Sequence, residues 1–324
     1  MAPAHQVLYT HGGGRLGNQV LRFAHWIAWV LEQGDGQVEV RDFAFWPYAR
    51  YFAWWRNHPG CVFPPRSDAW DEIARWRDLL PEYVTHRLDW RLQRFLQVRG
   101  GRWPGWQAID ADSPGGKSSM RLDEAFWRRV QRKPVTACAG WNLAGWDLVA
   151  RHQSRLRDYF QPERATADRA RTWVDDLRRR HGRVIGLFMR QEDYRVWQDG
   201  RFYFSLPCYV RWAQEAVELY ADDNPAVVIA AAEWSGGGAF GRLPVYPSTG
   251  NPGCGGHWFD QWAQLAECDM VLSVPSTFAA TAAFRGAKPL WPLLRADQRL
   301  ARDQLLADAL LDASRHSEFR LAVN

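Results

Sequence analysis

Three short segments carry side chains whose types and spacing suit the binding of an anion. In Gly12-Gly13-Gly14-Arg15-Leu16-Gly17 the glycines follow an apolar run, Gln6 to Thr10, and open a helical one. Backbone N–H groups at such a turn can approach a phosphate closely, and the helix start leaves them without partners. In Arg190-Gln191-Glu192-Asp193 an arginine follows the apolar run Val184 to Met189, and a carboxylate stands three positions later. A guanidinium there can hold a diphosphate while the carboxylate fixes the guanidinium or the turn. In Pro275-Ser276-Thr277-Phe278 a proline ends the run Met270 to Val274, and Ser276 takes the N-cap position of the next helix, so that two hydroxyls and the first N–H groups face outward. Taken singly, each segment is also explained by an ordinary turn or cap. All three lie just past the end of a strand-like run, where doubly wound sheets bind ligands.

The elements that must position these groups follow from hydrophobic period. Strands are expected at Gln6 to Thr10, Gln37 to Arg41 and Thr136 to Gly140, with helices from Asn18 to about Gln33 and from Trp146 to Tyr159. On the first helix Asn18, Arg22, His25 and Glu32 form one polar stripe on an otherwise apolar cylinder. Residues 43 to 135 are broken by Trp, Pro and Arg; helices are expected at Asp68 to Leu80, Pro81 to Val98 and Arg121 to Arg132, with a loop at Pro114 to Gly116. A polar stretch from Gln161 to Arg180, helical from Ala165, separates two halves. Beyond it strands at Val184 to Met189, Ala226 to Ala232, Met270 to Val274 and Pro289 to Leu293 alternate with helices at Ser205 to Tyr220, Trp258 to Glu267 and Ser276 to Arg285. A last helix, Asp297 to about Ala313, closes the chain. This alternation predicts parallel sheets of α/β type. The halves are drawn at 1–165, with a Trp-rich insertion at 43–135, and 166–324.

Composition bounds the function. The chain has 324 residues, 47% hydrophobic and 24% charged, with a net charge of +5, as expected of two globular domains. All but three of its 41 basic side chains are arginine (Lys117, Lys133 and Lys288 are the exceptions), so a bound phosphate will meet guanidinium or backbone N–H groups. The charges are spread along the chain and no nucleic-acid motif is present, which argues against a nucleic-acid partner. Five scattered cysteines without a C-x-x-C pair suit reduced thiols better than disulfides or a zinc site. No apolar run reaches the ~18 residues of a membrane span, and Met1 to Thr10 lacks the regions of a signal peptide, so a cytoplasmic protein is expected. Arg87, Arg91 and Arg94 share one helical face beside Leu88, Leu92 and Phe95. That face reads first as a solvated helix packed on a core, and second as a weak contact with the inner membrane surface.

Two rival chemistries are written in the same residues. Gly12-x-Gly14-x-x-Gly17 meets the dinucleotide-binding fingerprint, with Glu39 and Asp42 in place for the ribose, which would make the chain an NAD-dependent oxidoreductase. Asp110-Ala111-Asp112 has the D-x-D form that can hold a divalent metal, but stands beside a Ser-Pro-Gly-Gly loop and is read as an ordinary loop. No metal is expected.

The ordered set of motifs is more telling. Gly14-Arg15-Leu16-Gly17-Asn18-Gln19, then Phe188 to Tyr194, then Pro275-Ser276-Thr277-Phe278 resemble the fucosyltransferase superfamily, which includes the bacterial α-1,2-fucosyltransferases, the α-1,6-fucosyltransferases and the protein O-fucosyltransferases. Gly140-Trp141 through Tyr159-Phe160, and Asp260 to Phe284, are similar to further stretches of the α-1,2 group. The resemblance implies a glycosyltransferase B fold, two Rossmann-like domains facing an interdomain cleft, and a metal-independent, inverting transfer from GDP-fucose to a glycan or glycoconjugate, with another nucleotide sugar as the alternative donor. It implies that Arg190 holds the donor phosphates, that Ser276, Thr277 and Phe278 line the same pocket together with Asp260, and that Arg15 and Asn18, on the turn built by Gly14 and Gly17, approach from the N-terminal half. The family's His-x-Arg-Arg-x-Asp reads Phe188-Met189-Arg190-Gln191-Glu192-Asp193 here, with one positive charge fewer.

An inverting transfer also calls for a general base, for which Asp193 comes first, then Glu192 and Glu233, the last also a donor-side candidate. Tyr194 and Trp197, in an aromatic run continued by Phe202, Tyr203 and Phe204, are natural platforms for an acceptor sugar, with core filling as the rival account; His25 is placed on the acceptor side with them.

Overall fold

The computed structural model describes residues 3–11, 14–34, 36–56, 61–65, 76, 80, 84, 87–88, 91–92, 94–96, 102–110, 120–140, 143–234 and 237–316. The chain divides into two compact units, Met1–Glu163 and Arg164–Leu321.

The first unit is built on strands β1 (His5–His11), β2 (Val38–Asp42), β3 (Val62–Phe63), β4 (Trp106–Asp110) and β6 (Val135–Ala139), in the order β3-β2-β1-β6-β4. All neighbours are parallel except β3, which runs antiparallel to β2 at the edge. Strands β5 (Met120–Arg121) and β7 (Leu143–Ala144) form a separate parallel pair. Helix α1 (Leu16–Gln33) covers the sheet because nearly its whole circumference is apolar: Phe23, Trp26, Ile27 and Trp29 are fully buried. The polar stripe is not a solvent seam. Arg22 and His25 are as buried as the tryptophans, and Glu32 at the far end pairs with Arg151 and His152. Helix α2 (Glu124–Val130) is shorter than expected, since Asp123 accepts from Phe126 N–H at 3.0 Å and starts the helix there, while Arg121 belongs to β5. The expected helix Trp146 to Tyr159 breaks at His152 into α3 (Trp146–Arg151) and α4 (Gln153–Tyr159).

Strand β4 has no counterpart in the sequence reading. It lies in the Trp-rich stretch, and Asp110 ends it by pairing with Ala139, so the first residue of the D-x-D is strand and not loop. Asp112, Gly12, Trp141, the Pro114 to Gly116 loop and most of the helix expected at Asp68 to Leu80 lie outside the described residues. Of the helix expected at Pro81 to Val98, the described positions Val84, Arg87, Leu88, Arg91, Leu92 and Arg94 to Leu96 are helical; Leu96 is buried, whereas Leu88 and Phe95 are about half exposed.

The second unit holds strands β8 (Arg183–Met189), β9 (Pro225–Ala231), β10 (Val245–Pro247), β11 (Met270–Ser273) and β12 (Leu290–Pro292), ordered β10-β9-β8-β11-β12, all parallel. Helices α5 (Arg164–Arg180), α6 (Leu206–Leu219), α7 (Trp258–Glu267) and α8 (Thr277–Arg285) supply the crossovers and covers. The central strands read as unbroken apolar runs because both faces are covered. Trp212, Trp262 and Trp291 are fully buried here, each contributing on the order of 2–3 kcal/mol by leaving water.

The long final helix expected from Asp297 is not formed. Gln298 turns its amide inward, taking Leu294 N–H and donating to the Pro292 carbonyl, and Leu306 bridges to Leu290. Only the short turn Arg302–Gln304 and helix α9 (Leu311–Arg315) remain. A buried side-chain amide that satisfies irregular backbone is worth more here than continued helix.

Candidate active site

Strands β8 and β11 are direct neighbours, with Phe188 paired to Ser273, so the segments that leave their carboxyl ends emerge side by side. From β8 the chain enters a tight turn at Glu192–Arg195; from β11 it passes Pro275 and enters α8. Two of the three anion-binding segments therefore meet at one edge of one sheet.

Arg190 is the charged centre of this edge. Its side chain is only 14% exposed, and it pairs with Asp193 at 2.7 Å and with Glu192 at 3.6 Å. Its guanidinium lies 5.7 Å from the centre of the Tyr194 ring. Two neighbours fix the backbone at this point: Tyr209 of α6 donates to the Arg190 carbonyl at 3.2 Å, and Gln191 donates to the Phe204 carbonyl at 3.3 Å. Gln191 stands where the resembling motif has its second arginine, and its side chain is spent on the loop rather than pointed at a ligand.

Ser276 takes the N-cap position of α8 but does not cap it. This corrects the expectation of a capping serine. Beside it the Tyr194 hydroxyl donates to the Pro275 carbonyl. Tyr194 is buried, and burial pushes its phenol well above the usual range, with Arg190 opposing the shift, so the hydroxyl stays a neutral donor. Phe278 stacks on Phe188 at 5.1 Å, and Thr277 opens the helix with its carbonyl taken by the Thr281 hydroxyl.

The remaining candidates divide. Trp197 packs at 4.8 Å on Tyr194 and at 5.8 Å on Phe202, half-buried and beside the charged edge. Just past it Gln198, Asp199 and Gly200 all adopt positive φ, a tight left-handed turn that leaves Val196 79% exposed. Glu233 is exposed and pairs with Arg195 at 3.2 Å. Asp260 closes a capping box at the start of α7, accepting from His257 N–H at 2.9 Å while His257 accepts from Phe259 N–H, and it also meets Arg169 at 3.3 Å. Its oxygens are occupied in holding the helix start.

A polar cluster that the sequence reading missed supports the loop before α7. Asn251 extends the ladder of β9, accepting from Ala231 N–H and donating to the Ile229 carbonyl; Gln261 donates to Ala231 and Gly250, and Gln264 accepts from Ser248. All four side chains are buried. Amides spaced along a helix that otherwise looks merely amphipathic were the available signal.

In the first unit Gly14 has φ +79°, and a Cβ there would fall 2.2 Å from Asn18 Nδ2. The turn is therefore closed over the Asn18 side chain, whose Oδ1 is buried, while Arg15 is exposed and Gly17 buried in the first turn of α1. His25, expected on the acceptor side, lies in the core. It is fully buried, accepts from Gly145 N–H at 3.0 Å, and packs edge-on to Trp146 at 4.5 Å. Burial lowers its pKa to about 4, so it is a neutral core imidazole that no ligand can reach.

The oxidoreductase reading loses its acidic residue on the same grounds. Asp42 is fully buried, takes Phe45 N–H at 2.9 Å, and is held near Arg22, with burial pushing its carboxyl up to about 7; Glu39 is also buried. Neither presents a carboxylate to a ribose. Among the described residues no cluster of three or more His, Cys, Asp or Glu could hold a metal ion, and no helix is long and apolar enough to cross a membrane.

No family model matches the sequence, and no curated protein matches it. Solved structures do. Arabidopsis thaliana FUT1, a mutant in complex with GDP, superposes on 94% of this chain and 74% of its own with a TM-score of 0.57 at 12% identity. The chain has the glycosyltransferase B fold. Looser similarity extends to POFUT1 in complex with GDP (TM-score 0.49, 12% identity, 90% of this chain and 99% of that one) and to the NodZ α-1,6-fucosyltransferase with GDP (0.44, 14%, 89% and 95%). In glycosyltransferase B terms, the edge described above is the carboxyl end of the sheet in the second Rossmann-like unit.

Proposed function

We propose that this chain is an inverting, metal-independent glycosyltransferase that transfers fucose from GDP-fucose to a hydroxyl of a glycan or glycoconjugate. One observation carries the reading: Arg190 and the uncapped start of α8 meet at the carboxyl ends of the adjacent strands β8 and β11. A largely buried guanidinium and a helix N-terminus are together a site for a diphosphate, and both stabilise it most as charge develops on the leaving group. The fold shared with a plant fucosyltransferase crystallised with GDP supports guanosine diphosphate as the nucleotide.

In this mechanism Arg190 neutralises the departing diphosphate, and the first N–H groups of α8 donate hydrogen bonds to its oxygens. Arg15 and Asn18 belong to the donor side as well, on the Gly14 turn. Trp197, packed at a tilt against Tyr194, offers a flat face to the acceptor sugar. Asp193 makes the tightest pair with Arg190, at 2.7 Å, and serves as its anchor; Glu192, at 3.6 Å from Arg190, and Glu233, paired with Arg195, are the further candidates for taking the acceptor proton.

The deciding experiment is a thermal-shift panel of GDP, GDP-fucose, GDP-mannose, UDP, dTDP and NAD without metal, with Arg190→Ala alongside. Stabilisation by GDP and GDP-fucose alone, equivalent to about 2.7 kcal/mol at a hundredfold excess over Kd and absent in the variant, is the expected result. A response to UDP or dTDP only replaces the donor, and a response to NAD only overturns the proposal. Transfer undiminished by excess EDTA is the check on metal independence.

A further inference from the structure

Tyr194 carries a side-chain hydrogen bond between the two halves of the proposed diphosphate site. It sits four residues beyond Arg190 in the Glu192–Arg195 turn, and the Arg190 guanidinium lies over its ring at 5.7 Å. Its hydroxyl crosses to the other segment, donating to the carbonyl of Pro275, the residue before the N-cap of α8. The ring is buried and backed by Trp197 at 4.8 Å, so the hydroxyl has no solvent to turn to. Tyr209 holds the same segment through the Arg190 carbonyl at 3.2 Å. With Gln191 committed to the Phe204 carbonyl, Arg190 is the buried guanidinium of this turn, and the Tyr194 hydroxyl registers the turn against the segment that opens α8.

Building on the nucleotide reading above, we infer that Tyr194 is a positioning residue for the donor, tying the Arg190 turn to the first turn of α8 so that guanidinium and helix N–H groups converge on one diphosphate. Tyr194→Phe keeps the ring beneath Arg190 and against Trp197 and removes only the crossing hydroxyl. Loss of one buried hydrogen bond that orders a charged site weakens binding by about tenfold.

The test is a double-mutant cycle on GDP affinity, by titration calorimetry, with wild type, Tyr194→Phe, Arg190→Gln and the double variant. The expected result is a Kd about tenfold weaker in Tyr194→Phe, with KM for the donor raised more than kcat is lowered, and an effect of less than twofold in the Arg190→Gln background. A purely structural tyrosine would lower the melting temperature and leave the cycle additive. Equal Kd in wild type and Tyr194→Phe, or the same factor in both backgrounds, overturns the inference. Absence of any nucleotide binding by the wild type, visible before a variant is made, overturns the nucleotide reading and this inference with it.

Discussion

Phe188 and Phe278 stack face to face at 5.1 Å with their planes 28° apart, joining the last turn-out of β8 to the first turn of α8. Phe188 is 2% exposed. At this position, beside the charged edge, the chain has packing and no polar group. Phe188→His would place an imidazole in that stack without a partner and is expected to destabilise the protein by about 1–3 kcal/mol, without improving nucleotide affinity. Urea unfolding together with GDP titration checks both halves; tighter GDP binding would show that a polar group at this position serves the nucleotide.

Asp193 is expected to behave as the anchor of Arg190. Asp193→Asn should lower transfer and GDP affinity together by about tenfold, since the 2.7 Å ion pair that orients the guanidinium is weakened while the diphosphate contact survives. Steady-state kinetics with a pH profile is the measurement. A thousandfold fall in kcat at unchanged Kd, with loss of the acid limb, would assign proton abstraction to Asp193 instead.

Gly14 is irreplaceable on two separate grounds, its positive φ and its contact with Asn18. Gly14→Ala should cost about 1–3 kcal/mol of stability, and the displaced Asn18 side chain should reduce donor turnover at least as far as Asn18→Ala does. Thermal unfolding and initial rates of the two variants, compared side by side, decide it; an Ala variant with wild-type rates would remove the turn from the donor site.

His25 sets an acid limit on the first unit. Its folded pKa of about 4 lies below the ordinary 6.5, so the unfolded chain binds a proton first as pH falls. The stability of the neutral buried ring is complete above pH 6.5 and is lost progressively toward pH 4, by roughly 3 kcal/mol over the window. Asp42 acts with the opposite sign: its raised pKa makes its contribution greatest at low pH and lost as pH rises through about 7. The difference in unfolding free energy between wild type and His25→Gln, measured by urea at pH 7 and pH 4.5, isolates the histidine. It should shift in favour of the variant on acidification, and a constant difference would place His25 in a solvated setting.

The α/β class and the carboxyl-end positions of the Arg190 and Ser276 segments were legible in the sequence, because unbroken apolar runs and glycine or proline punctuation are local signals. The strands at Arg183–Met189, Pro225–Ala231 and Met270–Ser273 fall where their runs are. Where local signals conflict, the reading failed. Trp106–Asp110 is a strand because Val135–Ala139 offers it a parallel partner, not because its own sequence alternates. The chain after Asp297 has helical spacing, yet Gln298 is drawn into the core and the helix is given up.

Residue types and their order along the chain determined which chemistry this protein could carry, an anion met by arginine and helix ends. Tertiary structure alone decided which of those residues share a site. Tyr194 and Pro275 are 81 positions apart and meet only because β8 and β11 are neighbours. His25 and Arg22, polar on a helical wheel, are buried because residues of other elements, Gly145 and Asp42, come to meet them. Periodicity reports which way a side chain faces on its own element; what waits there is set by packing between elements distant in sequence, and no local pattern encodes it.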